Sequence, residues 1–426
     1  MPHQREARQA GALSMRRVID SGSKSDRSRR PILLMLGIAT AIASLGNAAG
    51  GTAGALLGVQ FIGSAAGAGL PIGLLVVGQA AAALLISQRT DRLGRSQSLA
   101  FGYVLGVIGA ALVIFAVVAE YLVALMVGST VLGAGNAAIF LTRYAAAELV
   151  AETNRGRALG AVLFATAFGG IASPGLVGPS GDLATFIGLP SLTGLYLVAI
   201  VCFALAALLL NAVSQLAPLG GGAALLGPVA SPRASRRALS SSLSDPSARA
   251  ALIILAATNL MMVAVMAIAP VHLTAHGHSL DRVGFIVGIH VAGMFLPSPI
   301  SGWAADRLGP VHVASAGISL LVAVGIAGTI VDQESGLWMA GLLATLGIGW
   351  NFGVVGGSKL LADAVPADQR PRVEGLREVS MGLAAGAGAM IAGPIVLLGG
   401  LTALFLSGSF VVATVVLALA VIRRVR

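Results

Sequence analysis

The sequence predicts an all-α membrane protein of about twelve transmembrane helices in two six-helix repeats, and three observations lead there. The composition is too apolar for a water-soluble domain, the apolar residues come in membrane-length stretches, and one polar interruption divides those stretches six and six. Of the 426 residues, 56% are hydrophobic and only 10% charged, with a mean hydropathy of +0.91. A domain folded in water needs a wetted perimeter that this composition does not supply.

Taken in order, the spans are read at 32–57, 66–88, 97–118, 121–147, 157–179, 190–212, 249–272, 281–304, 311–331, 336–361, 376–398 and 400–422. Each is about 20 residues or longer, enough to cross roughly 30 Å of hydrocarbon. The 57 glycines suit helices in lipid, where small residues let backbones approach. Residues 1–30 are rich in Arg and Ser without an apolar run, so they read as a disordered basic cytoplasmic tail and not a secretory signal, with Met1 or Met15 as the start. Residues 31–212 form the N-terminal six-helix bundle and 249–422 the C-terminal one. Between them, 213–248 is a flexible cytoplasmic linker rich in Gly, Ser and Arg, and 423–426 is a short tail.

The net charge of +10 would suit a nucleic-acid partner, but its distribution points elsewhere. Basic residues crowd the N-terminal tail and recur at Arg89, Arg92, Arg95, Arg155, Arg157, Arg233, Arg236, Arg237, Arg249, Arg307, Arg370, Arg372 and Arg423, all on one side if the helices alternate. The opposite loops carry Arg282 and the acids Glu120, Asp182, Asp281, Asp332 and Glu334. The positive-inside rule then places both termini in the cytoplasm. The expected partners are the lipid bilayer and a small-molecule substrate, with no nucleic acid, and the chain is expected to act as a monomer. Arg outnumbers Lys and Ala and Gly dominate, which suggests a bacterial source and its inner (plasma) membrane. The lone cysteine, Cys202, excludes a disulfide framework.

A constant shift of 215 residues aligns the halves. Asp91, Arg92, Leu93 and Gly94 fall on Asp306, Arg307, Leu308 and Gly309. Asn136 falls on Asn351, Glu148 on Asp363, Arg155 and Arg157 on Arg370 and Arg372, Gly160 on Gly375, and Gly178-Pro179 on Gly393-Pro394. Parallel repeats of this kind are a common construction among transporters.

The stretch Ser87-Gln88-Arg89-Thr90-Asp91-Arg92-Leu93-Gly94-Arg95 resembles the Gly-x-x-x-Asp-Arg-x-Gly-Arg loop signature of the major facilitator superfamily, and Gly302–Pro310 is a second copy. The resemblance covers residues 31 to 422. Gly160, Gly169, Pro174 and Gly178 fit the helix-5 signature of antiporter branches, from which Ser173 and Val177 depart. Segments 290–298 and 349–352 resemble a bacterial drug-efflux-type branch. Two features depart from drug/proton antiporters: Val127 stands where many proton-coupled members have an Arg, and helix 1 carries no acid.

The resemblance implies a conformational latch of Asp91, Arg92, Gly94 and Arg95 with Glu148 (or Glu152) and with Glu378 from the other half. Gly302, Asp306, Arg307 and Gly309 repeat it. Asp91 would sit near the start of helix 11, where the helix dipole favours a carboxylate. The resemblance also implies that helices 1, 4, 7 and 10 line the transport cavity. Four of the six asparagines, Asn47, Asn136, Asn259 and Asn351, lie inside these helices. A buried amide costs free energy unless it finds partners, so the four are expected either to make a polar cavity, with Trp350 as a stacking wall, or to bridge helices. His290 is the candidate proton carrier, since imidazole titrates near neutral pH. Arg143 and Lys359 are expected in structural ion pairs, Arg143 with Glu148 or snorkelling and Lys359 with Asp363, the alternative for both being contact with an anionic substrate. Gly160, Gly169, Pro174, Gly178, Pro179, Gly393 and Pro394 are expected to bend helices or bring the halves together.

These residues predict a secondary active transporter of a small organic molecule working by alternating access, as proton-coupled efflux, with no cofactor and the proton gradient as driving force. The alternative is a proton-independent facilitator or importer of a neutral solute. No Gly-Lys-Ser/Thr phosphate loop is present, so ATP is not expected to drive transport. An enzyme would need a clustered nucleophile, metal site or acid–base pair. The one cluster, His272, His276 and His278, would offer at most a weak outer-face metal site.

Overall fold

The computed structural model describes residues 31–46, 49–148, 166–216, 245–365 and 370–424, and these are almost wholly helical. Helix α1 covers 31–45 and Gly54–Ile62, with a π-helical turn Ala49–Ala53 between. The N-terminal half continues with α2 (Gly69–Leu93), α3 (Arg95–Val118) and α4 (Leu122–Glu148). Helix α5 comprises 166–172, a 3₁₀ turn Ser173–Leu176 and Val177–Phe186, and α6 is Gly194–Leu216. The C-terminal half holds α7 (Pro246–Ala275), α8 (Leu280–Phe295 and Ser298–Arg307), α9 (Pro310–Ala327) and α10 (Gly336–Asp363). The segment Arg370–Arg424 is two helices, α11 and α12, parted where Gly399 and Gly400 leave helical geometry and Gly400 takes φ 68°. Among the described residues ten helices are long and apolar enough to cross a membrane. One of these, Leu376–Thr414, contains the α11–α12 break.

The helix ends have local causes. Asp245 caps α7, its carboxylate accepting from the backbone N–H of Ser247 (2.6 Å) and Ala248 (3.1 Å), so Asp245-Pro246 starts a helix, although the composition places it in the linker. Helix α8 breaks at Leu296–Pro297, where Pro297 and Pro299 lack N–H groups for the helical ladder. Helix α5 runs to Phe186 and not to the expected 179, because Pro174 and Pro179 are absorbed in a 3₁₀ turn and a first helical turn. The signature segments also differ from expectation. Residues 89–93 complete α2 and do not form a loop, and a single residue, Gly94, turns the chain into α3. Gly94 adopts φ 78°, ψ 162° and its repeat partner Gly309 φ 90°, ψ 151°. A side chain is strained in that conformation, so the motif's Gly is set by backbone geometry in both copies.

Two hydrophobic cores form, one in each half. The first gathers residues of α1–α6 around Tyr103, Tyr196 and Phe203, with the Tyr103 and Phe203 rings stacked at 5.9 Å. The second gathers α7–α12 around Met261, Leu343 and Phe405. The proximal end is defined as that where α1 begins, and the distal end as that of the α1–α2, α5–α6, α7–α8 and α11–α12 turns. The halves meet closely toward the distal end. A methyl group on Gly69 of α2 would strike the carbonyl oxygen of Ala389 in α11, and one on Gly393 would strike that of Ala65. Gly178 of α5 lies against the Asp281 carboxylate of α8. Ala68 is buried in the second core, and Leu280 packs on the first.

The α2–α11 seam predicts a cross-link. The position of a Cβ on Gly386 is 3.8 Å from Val76 Cγ1, so side chains at the two positions face each other across the seam. Val76→Cys with Gly386→Cys is expected to oxidise readily within one chain, read by mass spectrometry; a pair that stays reduced under mild oxidant would show the seam misplaced.

Candidate functional site

The amides expected in the cavity take different roles in the structure. Asn259 on α7 donates to the backbone carbonyl of Met381 on α11 (2.8 Å) and accepts from the Trp350 indole N–H on α10 (2.9 Å). It therefore ties three helices of the C-terminal half together, and Trp350 packs edge-on to Phe295 of α8 at 6.3 Å. Asn351 on α10 is 3% exposed. Its amide donates to the Met294 carbonyl and to Ser298 Oγ, both at 2.8 Å, and its oxygen accepts from Ser301 Oγ at 2.6 Å. All three partners flank the α8 break, so Asn351 supplies the hydrogen bonds that the proline-interrupted helix cannot make for itself. Asn136 on α4 is 8% exposed and has no hydrogen-bond partner among the described residues. Asn47 lies outside the described residues.

His290 is 1% exposed inside α8. Its Nδ1–H donates to the Leu343 carbonyl of α10 at 2.8 Å, which leaves Nε2 as a bare acceptor, and this nitrogen is buried without a partner. The backbones close over it: a side chain on Gly347 would meet the His290 carbonyl. Among the described residues no carboxylate bonds to the ring, which sits in a buried seam within one half.

At the proximal end the second signature copy forms an ion-pair cluster. Lys359 of α10 reaches Asp306 of α8 at 3.2 Å and Asp363 at 3.7 Å, as the sequence suggested for Asp363, and the Arg307 guanidinium lies over the Trp303 ring at 5.8 Å. In the first copy Arg92 is exposed, Arg95 is buried and Arg89 lies 3.9 Å over the Phe101 ring. The side chains of Asp91, Arg143 and Glu148 lie outside what is described, as do Glu152 and Gly160. Glu378 pairs with the adjacent Arg377 at 2.5 Å, and Arg377 also donates to Ser358 Oγ of α10 at 3.2 Å. Arg377 has no counterpart in the repeat, where Val162 stands, so the repeat alignment gave no signal for it.

Of the helix-5 residues, Pro174 lies in the 3₁₀ turn, Gly178 and Pro179 start the last helical piece, and Gly169 lies against the Ala41 carbonyl of α1 in its own half. Ser173, a departure from the signature, donates to the Leu45 carbonyl of α1 at 2.5 Å. Pro394 sits inside α11 one residue from the close contact of Gly393. The histidines of the α7–α8 turn grip the α9–α10 turn. His272 Nε2 donates to the Gln333 carbonyl at 3.1 Å and His278 Nε2 to that of Glu334 at 2.8 Å. His276 Nε2 lies 3.6 Å from the Glu334 carboxylate. With those nitrogens engaged, no group of three metal-ligating side chains is assembled among the described residues.

Comparison with known proteins decides the family. The chain is 33% identical over 396 residues to the uncharacterized MFS-type transporter YddS of Bacillus subtilis strain 168, covering 92% of this chain and 90% of that protein. It is 33% identical over 387 residues to YdeG of the same strain, covering 90% of each. It belongs to the major facilitator superfamily. The model of that family matches residues 250–426. The fold is similar to that of a bacterial homolog of the human lysosomal transporter Spinster, crystallised inward-facing and unoccupied, with TM-score 0.69 and 15% identity over 92% of this chain and 95% of that one. It is also similar to the nucleoside transporter NupG, with TM-score 0.70 and 15% identity over 91% and 98%. Membership fixes a multi-pass membrane protein whose relatives are transporters, and it accounts for two copies of one signature turn.

The Asn259 bridge is testable in the same family context. Trp350→Phe removes the indole donor and leaves Asn259 Oδ1 unpaired, which costs about 1–3 kcal/mol for a buried acceptor. A lowered melting temperature in detergent is expected, measured by a thiol-independent fluorescence melt.

Proposed function

We propose that this protein is a secondary active transporter that moves a small organic molecule by alternating access, exporting it in exchange for protons. The observation that carries this reading is how the two halves meet among the described residues. Their close contacts run along α2–α11 and α5–α8 toward the distal end, which suits two bundles that rock about a central site. Charge supports placing the proximal end in the cytoplasm of a bacterial inner membrane, since Arg89, Arg92, Arg95 and Arg307 gather there. Asp91 and its neighbours would then latch the cytoplasmic face when the distal end opens. The substrate is proposed to be neutral or weakly cationic, because amides and Trp350 outnumber charges in the middle of the described helices. The chain is proposed to act as a monomer, with no cofactor.

The second reading is a proton-independent facilitator, and the position of His290 favours it. A proton carrier must meet water or a partner at each stage, and this ring sits in a closed seam with one nitrogen committed to Leu343. One relative bears on the panel of compounds. The riboflavin transporter RfnT of Brucella anthropi is 31% identical over 121 residues, 28% of this chain and 30% of that protein, so flavins belong in the panel beside amphipathic amines and neutral amides.

The experiment is purified protein in liposomes with a pH-sensitive dye inside and the panel outside. Antiport predicts compound-dependent collapse of an imposed proton gradient, beyond that of empty liposomes. Entry of labelled compound without proton movement would replace it with the facilitator. Asp91→Asn is expected to cut flux by an order of magnitude or more while leaving insertion intact, and normal flux would remove the latch. Under antiport His290→Ala is expected to uncouple compound from proton, and unchanged coupling would place the carrier elsewhere.

A further inference from the structure

The two halves carry the same asparagine in two different chemical situations. Asn351 and Asn136 are 215 residues apart and occupy equivalent places in α10 and α4. Asn351 is saturated because α8 is broken beside it: Met294, Ser298 and Ser301 supply an orphaned carbonyl and two hydroxyls. The equivalent positions in α2 are Gln79, Ala83 and Ile86, and Ala82 replaces Pro297. Helix α2 is continuous from Gly69 to Leu93, so the Gln79 carbonyl is spent within its own helix, and Ala83 and Ile86 have no hydroxyl. The backbones of α2 and α4 meet here, since a side chain on Gly133 would strike the Leu75 carbonyl and the Gln79 nitrogen. The partners that make Asn351 structural are thus absent around Asn136, although the two helices still touch.

A buried carboxamide left unpaired costs about 1–3 kcal/mol, which gives no structural reason to keep one. The Asn136 amide is nine-tenths buried and yet absent from the sealed, unpartnered polar atoms of the described residues, among which His290 Nε2 and Thr258 Oγ1 stand. A residual opening therefore reaches it.

We propose that Asn136 is the hydrogen-bonding contact for the transported molecule, and that Asn351, its repeat counterpart, is purely structural. This rests on the transport reading above and deepens it. A carboxamide presents one acceptor and one donor side by side, and it is matched by a neutral group doing the same, such as an amide, lactam or imide edge. A charged substrate would call for a counter-ion, and Asn136 supplies none. The halves would then contribute unequally: the N-terminal bundle holds the free polar contact, and the C-terminal bundle holds the Trp350–Phe295 aromatic wall with its amides already committed.

The test needs no known substrate. In full-length protein with Cys202→Ala, Asn136→Cys and Asn351→Cys are treated with a membrane-impermeant cationic methanethiosulfonate, added separately to each face of reconstituted vesicles. Asn136→Cys is expected to react at least an order of magnitude faster than Asn351→Cys. In parallel, Asn136→Leu is expected to match or exceed the wild-type melting temperature, because it removes an unpaired amide, whereas Asn351→Leu is expected to lower it by several degrees. An unreactive Asn136→Cys, or a melting loss in Asn136→Leu equal to that of Asn351→Leu, would overturn the assignment by revealing a sealed or structurally paired amide. Both readouts are independent of translocation, so a failure of this assignment is distinguishable from a failure of the transport reading.

Discussion

Lipid offers no hydrogen bonds, so every interruption of a membrane helix must be repaired from within the protein. That constraint organises the polar residues of this chain. Helix α8 is interrupted at Pro297 and Pro299, and Asn351 reaches in from α10 to the Met294 carbonyl and the Ser298 and Ser301 hydroxyls around the break. Helix α1 departs from regular geometry between its two pieces, and Ser173 reaches across from α5 to the Leu45 carbonyl beside it. Asn259 spends its amide differently, joining α7, α10 and α11. At the distal turns His272 and His278 take up the Gln333 and Glu334 carbonyls. Several polar side chains are thus repair groups, others such as Thr40, Thr130 and Thr142 bond a carbonyl of their own helix, and an amide that does neither is conspicuous.

The contact between halves obeys a different rule. Within a half, helices are joined by directed hydrogen bonds that hold one geometry. Across the seam the described contacts are largely small residues against backbone, as with Gly69 on Ala389 and Gly393 on Ala65, or glycine against a carboxylate, as with Gly178 on Asp281. Such contacts rest on dispersion and shape, with no desolvated charge to recover on separation. A seam of that kind parts and re-forms at modest cost while each bundle keeps its internal bonds, which is the mechanical requirement for rocking.

Much of this architecture was legible because it depends on hydropathy and repetition. Span lengths, the six-plus-six division and the paired Gly94 and Gly309 turns all leave periodic marks in the sequence, and Gly94 and Gly309 share one backbone conformation. The site was less legible, because residue type does not reveal a partner. Four asparagines looked alike in sequence, yet the structure separates Asn259 and Asn351, bonded between helices, from Asn136. What distinguishes them is whether the neighbouring helix is broken, and the signal lay in Pro297 against Ala82, a difference between repeats where the reading sought their likeness. The Arg377–Ser358 contact was missed for the same reason: it exists in one half alone. Helix α2 overran its expected end because a polar, signature-bearing segment reads as a loop in composition while its backbone stays helical up to Gly94.

The central claim is that two internally rigid bundles rock about a central site and so part and re-form the distal seam. It is tested most directly by pulsed electron–electron distance measurement between spin labels at Phe186→Cys and Leu398→Cys, exposed distal positions in opposite halves, on a Cys202→Ala background in liposomes. The account predicts two distance populations whose ratio moves toward the longer one when Gly69→Leu wedges the seam. It also predicts a single distance, unchanged by that wedge, for a label pair within one half. One fixed inter-half distance that Gly69→Leu leaves in place in folded protein would contradict it.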